Sequence, residues 1–153
     1  MNAYSKVFID TAPLVYYLQK NENLFAKIKK TFLDLDDMDV IFALSDITIT
    51  EYSVFPYKNN RIDLIYALND FIATFEVRIL HTTRKIADKA AKIRAEYPFF
   101  KTMDSLQLAF AYISECDLFL TNDKQLKQFK ELNCVMVEEW EIGDDDDQCQ
   151  NKR

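Results

Sequence analysis

Four carboxylates stand where short apolar runs end or helices begin: Asp10, Glu51, Asp104 and Asp123. Asp10 closes the run Val7-Phe8-Ile9 and is followed by Thr11. Asp123 follows Leu118-Phe119-Leu120 within Thr121-Asn122-Asp123. An acid at the carboxyl end of a buried parallel strand faces the crevice in which α/β folds hold their ligands. Two carboxylates about 5 Å apart, at an effective dielectric near 20, repel by about 3 kcal/mol, or roughly two pKa units. Four of them in one crevice need compensation, which one or two divalent cations supply. Mg²⁺ and Mn²⁺ take carboxylate oxygens and water and need neither histidine nor cysteine. Two such ions about 4 Å apart activate water and stabilise both oxygens of a phosphodiester displacement. The pattern therefore points to a metal-dependent enzyme.

Taken singly, each acid has an ordinary use. Asp10 and Asp123 suit a helix cap or a turn, Glu51 a solvated helix face, and Asp104 a first helical turn, where the helix dipole favours an anion. The joint pattern is more specific than its members, provided the fold brings the four together.

The elements that must do so alternate between short β-like runs and helical stretches, as in a parallel sheet covered by helices. Strands are expected over 6–10, 40–44, 77–80, 118–121 and 135–138. Thr11 is a suitable cap for a helix from 12, with Pro13 tolerated in its first turn. Further helices are expected over 23–35, from Ser45 or Asp46 to Phe55 where Pro56 ends it, over 60–75, from Thr82 or Thr83 to Glu96, over 103–115 and over 124–130. The fold class is thus α/β, a three-layer α/β/α arrangement with a central, mostly parallel sheet of four to five strands. Right-handed crossovers place the carboxyl ends of these strands on one edge. Asp10 and Asp123 leave strands there. Glu51 reaches back from the helix after strand two, and Asp104 lies in the first turn of its own helix.

Bulk properties limit the alternatives. The 153 residues suit one domain with a sizeable core. The division expected is a folded domain over 1–140 and a disordered acidic tail over 141–153. No apolar run is long enough to span a bilayer and Met1 to Lys6 lack a signal-peptide pattern, so a cytoplasmic protein without membrane association is expected. Cys116, Cys134 and Cys149 form no close pair, and His81 is the sole histidine. That argues against a disulfide framework or a zinc site. Gly143 is the one glycine, which excludes glycine-rich phosphate loops. The net charge of −6 belongs mostly to the segment from Glu138 onward, which carries −5 and leaves the body at −1. An acidic pI therefore does not exclude nucleic acid.

Four sequence pieces carry a resemblance to the PIN domain, especially its VapC-type toxin branch. They are Phe8-Ile9-Asp10-Thr11, Ile47-Thr48-Ile49-Thr50-Glu51, Met103-Asp104-Ser105-Leu106-Gln107-Leu108-Ala109 and Leu120-Thr121-Asn122-Asp123. The last two and their separation are the most specific. The resemblance covers residues 7–137 and implies a metal-dependent ribonuclease fold. Asp10, Glu51, Asp104 and Asp123 match its four acids in order, and Thr11, Ser105, Thr121 and Asn122 match the polar positions beside them. Such neighbours orient carboxylates and water. The resemblance implies an endoribonuclease using Mg²⁺ or Mn²⁺, the toxin of a type II toxin–antitoxin pair, homodimeric and silenced by an antitoxin protein. The acidic tail and scarcity of glycine depart from the pattern without touching the four acids.

Lys85, Lys89 and Lys92 repeat at helical spacing, and Lys124 follows the fourth acid. They suit an RNA backbone or, more plainly, a solvated helix face. Tyr16, Tyr17, Phe25 and Phe32 suit the core, or a groove for a dimer partner or antitoxin. Two other readings remain open. One is a catalytically inactive PIN-fold module that binds RNA or protein. The other is an aspartyl-phosphate phosphatase or receiver-like domain. It is weakened because Asp10-Thr11-Ala12 lacks the second acid that such phosphatases carry two residues on.

Overall fold

The computed structural model describes residues 4–141. Five strands form one sheet: β1 (Lys6–Ile9), β2 (Ile41–Ser45), β3 (Arg78–Leu80), β4 (Leu118–Thr121) and β5 (Cys134–Met136). Their order is β3-β2-β1-β4-β5, and all four pairings are parallel. Six helices accompany them: α1 (Thr11–Leu18), α2 (Phe25–Asp37), α3 (Asp46–Lys58), α4 (Ile62–Thr74), α5 (Arg84–Glu96) and α6 (Thr102–Ile113). A 3-10 helix, Lys124–Gln128, follows β4.

The sheet is buried on both faces because successive side chains of a strand point to opposite sides. Val7 and Ile9 of β1, Phe42 and Leu44 of β2, and Leu118 and Leu120 of β4 pack with Leu14, Ile28, Phe32, Leu68 and Phe71 from α1, α2 and α4. The intervening residues Phe8, Ala43 and Phe119 pack with Ile86, Ile93, Leu108 and Phe110 from α5 and α6. Phe8 stacks on Phe119 at 5.4 Å between ring centroids. These two cores make the three-layer α/β/α fold. Cys116 and Cys134 are buried free thiols, and burial pushes both up to about 12.

Local boundaries differ from the sequence-based expectation in a few places, each with a physical reason. Asp10 rather than Thr11 caps α1, its carboxylate accepting from the Thr11 amide. Ser45 caps α3 in a reciprocal capping box with Thr48. Pro56 does not end α3, which runs on to Lys58. Proline removes its own amide from the ladder and crowds the carbonyl one turn back, but past it the bonding continues, with Asn59 donating to the Phe55 carbonyl at 3.1 Å. Thr83 is the cap of α5. The acidic segment 142–153 lies outside the described residues. No helix among the described residues is long and apolar enough to cross a membrane.

Chain direction reverses its progress across the sheet at β1. From β1 the chain steps to β2 and β3, then crosses back to β4 and β5 on the other side. The crevice between the carboxyl ends of β1 and β4 is the place where open α/β sheets bind ligands.

Candidate active site

Asp10 and Thr121 stand at that crevice. The Thr121 hydroxyl donates to Asp10 Oδ2 at 2.8 Å, and the Thr11 amide donates to Asp10 Oδ1 at 2.9 Å. Thr121 also accepts from the Asp123 amide at 3.0 Å, so one hydroxyl joins the first and fourth acids. Asp123 caps the 3-10 helix, accepting from the Gln125 amide at 2.9 Å. Glu51 reaches the same place from α3, where its Oε1 accepts from the Thr11 hydroxyl at 2.9 Å.

The acids feel one another. Burial raises Asp10 from its ordinary 3.8 to about 6; the bonds from Thr121 and Thr11 oppose the rise, and the charges of Asp104 and Glu51 add to it. Burial also raises Asp104, and the charge of Asp123 adds to that, while the Lys101 amide and ammonium pull the other way. All four predicted acids therefore sit on one sheet edge, coupled as Asp10–Glu51, Asp10–Asp104 and Asp104–Asp123.

Among the described residues, no three Asp, Glu, His or Cys side chains already stand as a closed metal cage. The donor set nonetheless fits a hard divalent cation, because such ions complete their shells with water and need only one or two carboxylates directly. A second observation agrees. Among the described residues, the buried side-chain oxygens without a hydrogen-bond partner are Ser105 Oγ and Asn122 Oδ1, and each belongs to the residue beside a site acid. Buried polar atoms are ordinarily paired, so unpaired ones call for an explanation such as an ion or water.

Residues 7–132 match the family model described as PIN domain. The chain belongs to the PIN domain family. Among solved structures, this PIN domain resembles VapBC2 from Rickettsia felis, solved bound to a DNA fragment from its promoter. The TM-score is 0.71 at 18% identity, over 86% of this chain and 98% of that one. A toxin–antitoxin complex from Klebsiella pneumoniae gives 0.65 at 21% identity, over 89% and 99%. VapC20 from Mycobacterium tuberculosis, a sarcin-ricin loop cleaving toxin, gives 0.62 at 14% identity, over 80% and 93%. At these identities the likeness is one of fold. No curated protein matches the chain.

The basic residues fare unequally. Lys89 is engaged, its ammonium 3.1 Å from Glu131 and 3.9 Å above the Tyr112 ring. Lys92 pairs with Asp88 at 3.0 Å on an exposed helix face. Lys85 and Lys124 are exposed, and Lys124 lines an open basic depression with Lys127 and Lys130. Of the aromatic set, Phe32 is fully buried, whereas Tyr17 and Phe25 line a groove with Leu18, Phe71 and Phe75 between α1, α2 and α4. His81 is exposed and paired with Asp46 at 2.9 Å, away from the four acids in the hydrogen-bond network.

Sequence reasoning did not single out Gln107, Thr48 or Lys101. Lys101 acts on Asp104 from just before α6. Gln107 and Thr48 are buried and hydrogen-bonded to each other at 2.9 Å. Their signal was a polar residue on the otherwise apolar inner face of an amphipathic helix.

Proposed function

We propose that this PIN domain is an endoribonuclease dependent on Mg²⁺ or Mn²⁺, and the toxin of a type II toxin–antitoxin pair. The observation that carries the reading is the single hydroxyl of Thr121 joining Asp10 to Asp123 at the β1–β4 crevice, with Glu51 and Asp104 close enough to raise Asp10. Asp10, Glu51, Asp104 and Asp123 would hold one or two divalent cations. Held there, a divalent cation would supply Lewis acidity for lowering the pKa of a bound water and for offsetting charge on the scissile phosphate. The chain does the rest. Thr121 and Thr11 fix both oxygens of Asp10, and Thr11 also holds Glu51. Hydrolysis forms a bond from the water oxygen to phosphorus and breaks the bond from phosphorus to the 3′ oxygen, leaving a 5′-phosphate and a 3′-hydroxyl. Lys85, Lys92 and Lys124 are the exposed members of the lysine set and would meet the RNA backbone.

Two surfaces support the partner assignments. The groove containing Tyr17, Phe25 and Phe71 suits an apolar antitoxin segment. Val54, Phe55 and Tyr57 at the end of α3, with Ile62 and Tyr66 of α4, are exposed and suit a homodimer contact. The test is cleavage of RNA with added Mn²⁺ by wild type, Asp10→Asn and Asp104→Asn proteins. Each variant is expected to lose activity by at least about 100-fold, as is wild type in EDTA. Equal activity in all three proteins would refute the reading. A binding module without catalysis is the second reading, favoured by the absence of a closed three-acid cage among the described residues. It would be established by RNA binding without any divalent-ion binding in calorimetry.

A further inference from the structure

Gln107 is a neutral amide buried to 1% exposure in the middle of α6, three residues beyond Asp104. Burying an amide is costly unless its atoms are paired, and here both ends are. Its Oε1 accepts from the Ser45 hydroxyl. Its Nε2 donates to Thr48 Oγ1 at 2.9 Å and, at a longer 3.4 Å, to Thr11 Oγ1. These partners are not arbitrary. Ser45 ends β2 and caps α3, and Thr48 completes that cap three residues before Glu51. Thr11 follows Asp10 and opens α1. One amide of α6, the helix of Asp104, thus touches the starts of α1, which Asp10 caps, and of α3, which carries Glu51.

The bond to Thr11 has a directional effect. A hydroxyl has one proton and two lone pairs. When Thr11 Oγ1 accepts from Gln107, its own proton is left for Glu51 Oε1, the acceptor 2.9 Å away. We infer that Gln107 is a positioning residue for Glu51. It acts through the Thr11 hydroxyl and sets the spacing of α1, α3 and α6 around the site. The inference rests on the proposed function for its consequence, though not for the geometry itself. An apolar residue of the same length would fill the space equally well and direct nothing.

The test uses the full chain as wild type, Gln107→Met, Thr11→Val and the double variant, with Gln107→Leu as a second replacement should Gln107→Met fail to fold. Thr11 side-chain three-bond couplings, measured by NMR without metal, are expected to report one rotamer in wild type and averaging in Gln107→Met. Mn²⁺ affinity, measured by electron paramagnetic resonance, is expected to fall about 10-fold in Gln107→Met. The same substitution is expected to change it by less than about 2-fold when Thr11 is already valine, because the route is then broken. A single Thr11 rotamer in Gln107→Met would overturn the inference. So would an equal loss of affinity in both backgrounds, which would mean general repacking. Failure of wild type to bind Mn²⁺ would instead refute the metal-dependent reading, and the Thr11 couplings would still decide whether Gln107 positions that hydroxyl.

Discussion

Asp10 carries an electrostatic load that sets the pH behaviour of the metal-free protein. Its carboxyl is raised from 3.8 to about 6, with burial as the leading cause. A group raised on folding stabilises the fold fully below its unfolded value, and that contribution is lost as pH rises through its folded value. In EDTA, stability is therefore expected to fall between pH 4 and pH 7 by up to about 3 kcal/mol on account of this group. Urea unfolding of wild type and Asp10→Asn at pH 4.5 and pH 7.5 checks this. The variant should lack that share of the pH dependence and be the more stable of the two at pH 7.5. Added Mn²⁺ should restore wild type at the higher pH, since a cation that binds only the folded state stabilises it. Asp10, Asp104 and Asp123 stood out as candidates in the sequence because each follows an apolar run or lies in the first turn of a helix, whereas Glu51, the sixth residue of α3, was marked only by the sequence pieces that carry the resemblance. Gln107 and Thr48 did not stand out, because a polar residue on an apolar helix face does not name its hydrogen-bond partner 59 residues away.

At the scale of elements, helix endings show how this chain manages with so little glycine. Lys20, Asp39, Asn60, Glu76 and Glu115 have φ between 48 and 57°, the left-handed region that favours glycine. Each is followed by an amide that reaches back five residues, as in Val77 to Ile72 and Cys116 to Ala111, both at 2.9 Å. This is the Schellman ending of α1, α2, α3, α4 and α6. Each non-glycine residue there costs on the order of 1 kcal/mol. Glu76→Gly and Glu115→Gly are therefore each expected to stabilise the protein by about 0.5–1 kcal/mol, measured as a raised midpoint of thermal or urea unfolding. No change, or a loss, would show that the glutamates make compensating contacts. Helix starts were readable from Ser45 and Thr83, whose side chains cap locally. The end of α5 at Glu96 was read as well, and those of α2, α4 and α6 came within two residues although the glycine that usually announces a helix end is missing; Pro56 gave a false stop where resumed hydrogen bonding carries α3 on to Lys58.

For the whole molecule, alternation of apolar runs with helical periods sufficed for the α/β/α class, because a sheet buried on both faces must be continuously apolar. Strand order was not readable in the same way. The sheet has β1 between β2 and β4, and only that crossover makes Asp10 and Thr121 neighbours. The exposed apolar residues of α3 and α4 concern association. Under the homodimer reading, light scattering is expected to give twice the chain mass for wild type. Tyr57→Lys combined with Tyr66→Lys should give a monomer, because buried like charges would face each other across a symmetric contact. A monomeric wild type, or a variant that stays dimeric, would remove these residues from the interface.

The central place of β1 also governs when the crevice can form during synthesis. Its partner β4 lies more than a hundred residues downstream, and the bond from Thr121 to Asp10 closes a loop of 111 residues. Pairings that distant form only after a large loss of chain freedom, and only once both strands exist. A ribosome-bound chain that has not yet released β4 holds Asp10, Glu51 and Asp104 but has neither the strand nor the hydroxyl that joins them. β4 must therefore leave the ribosome before the crevice exists, and a fragment that stops short of Leu118 lacks both the strand and the Thr121 hydroxyl.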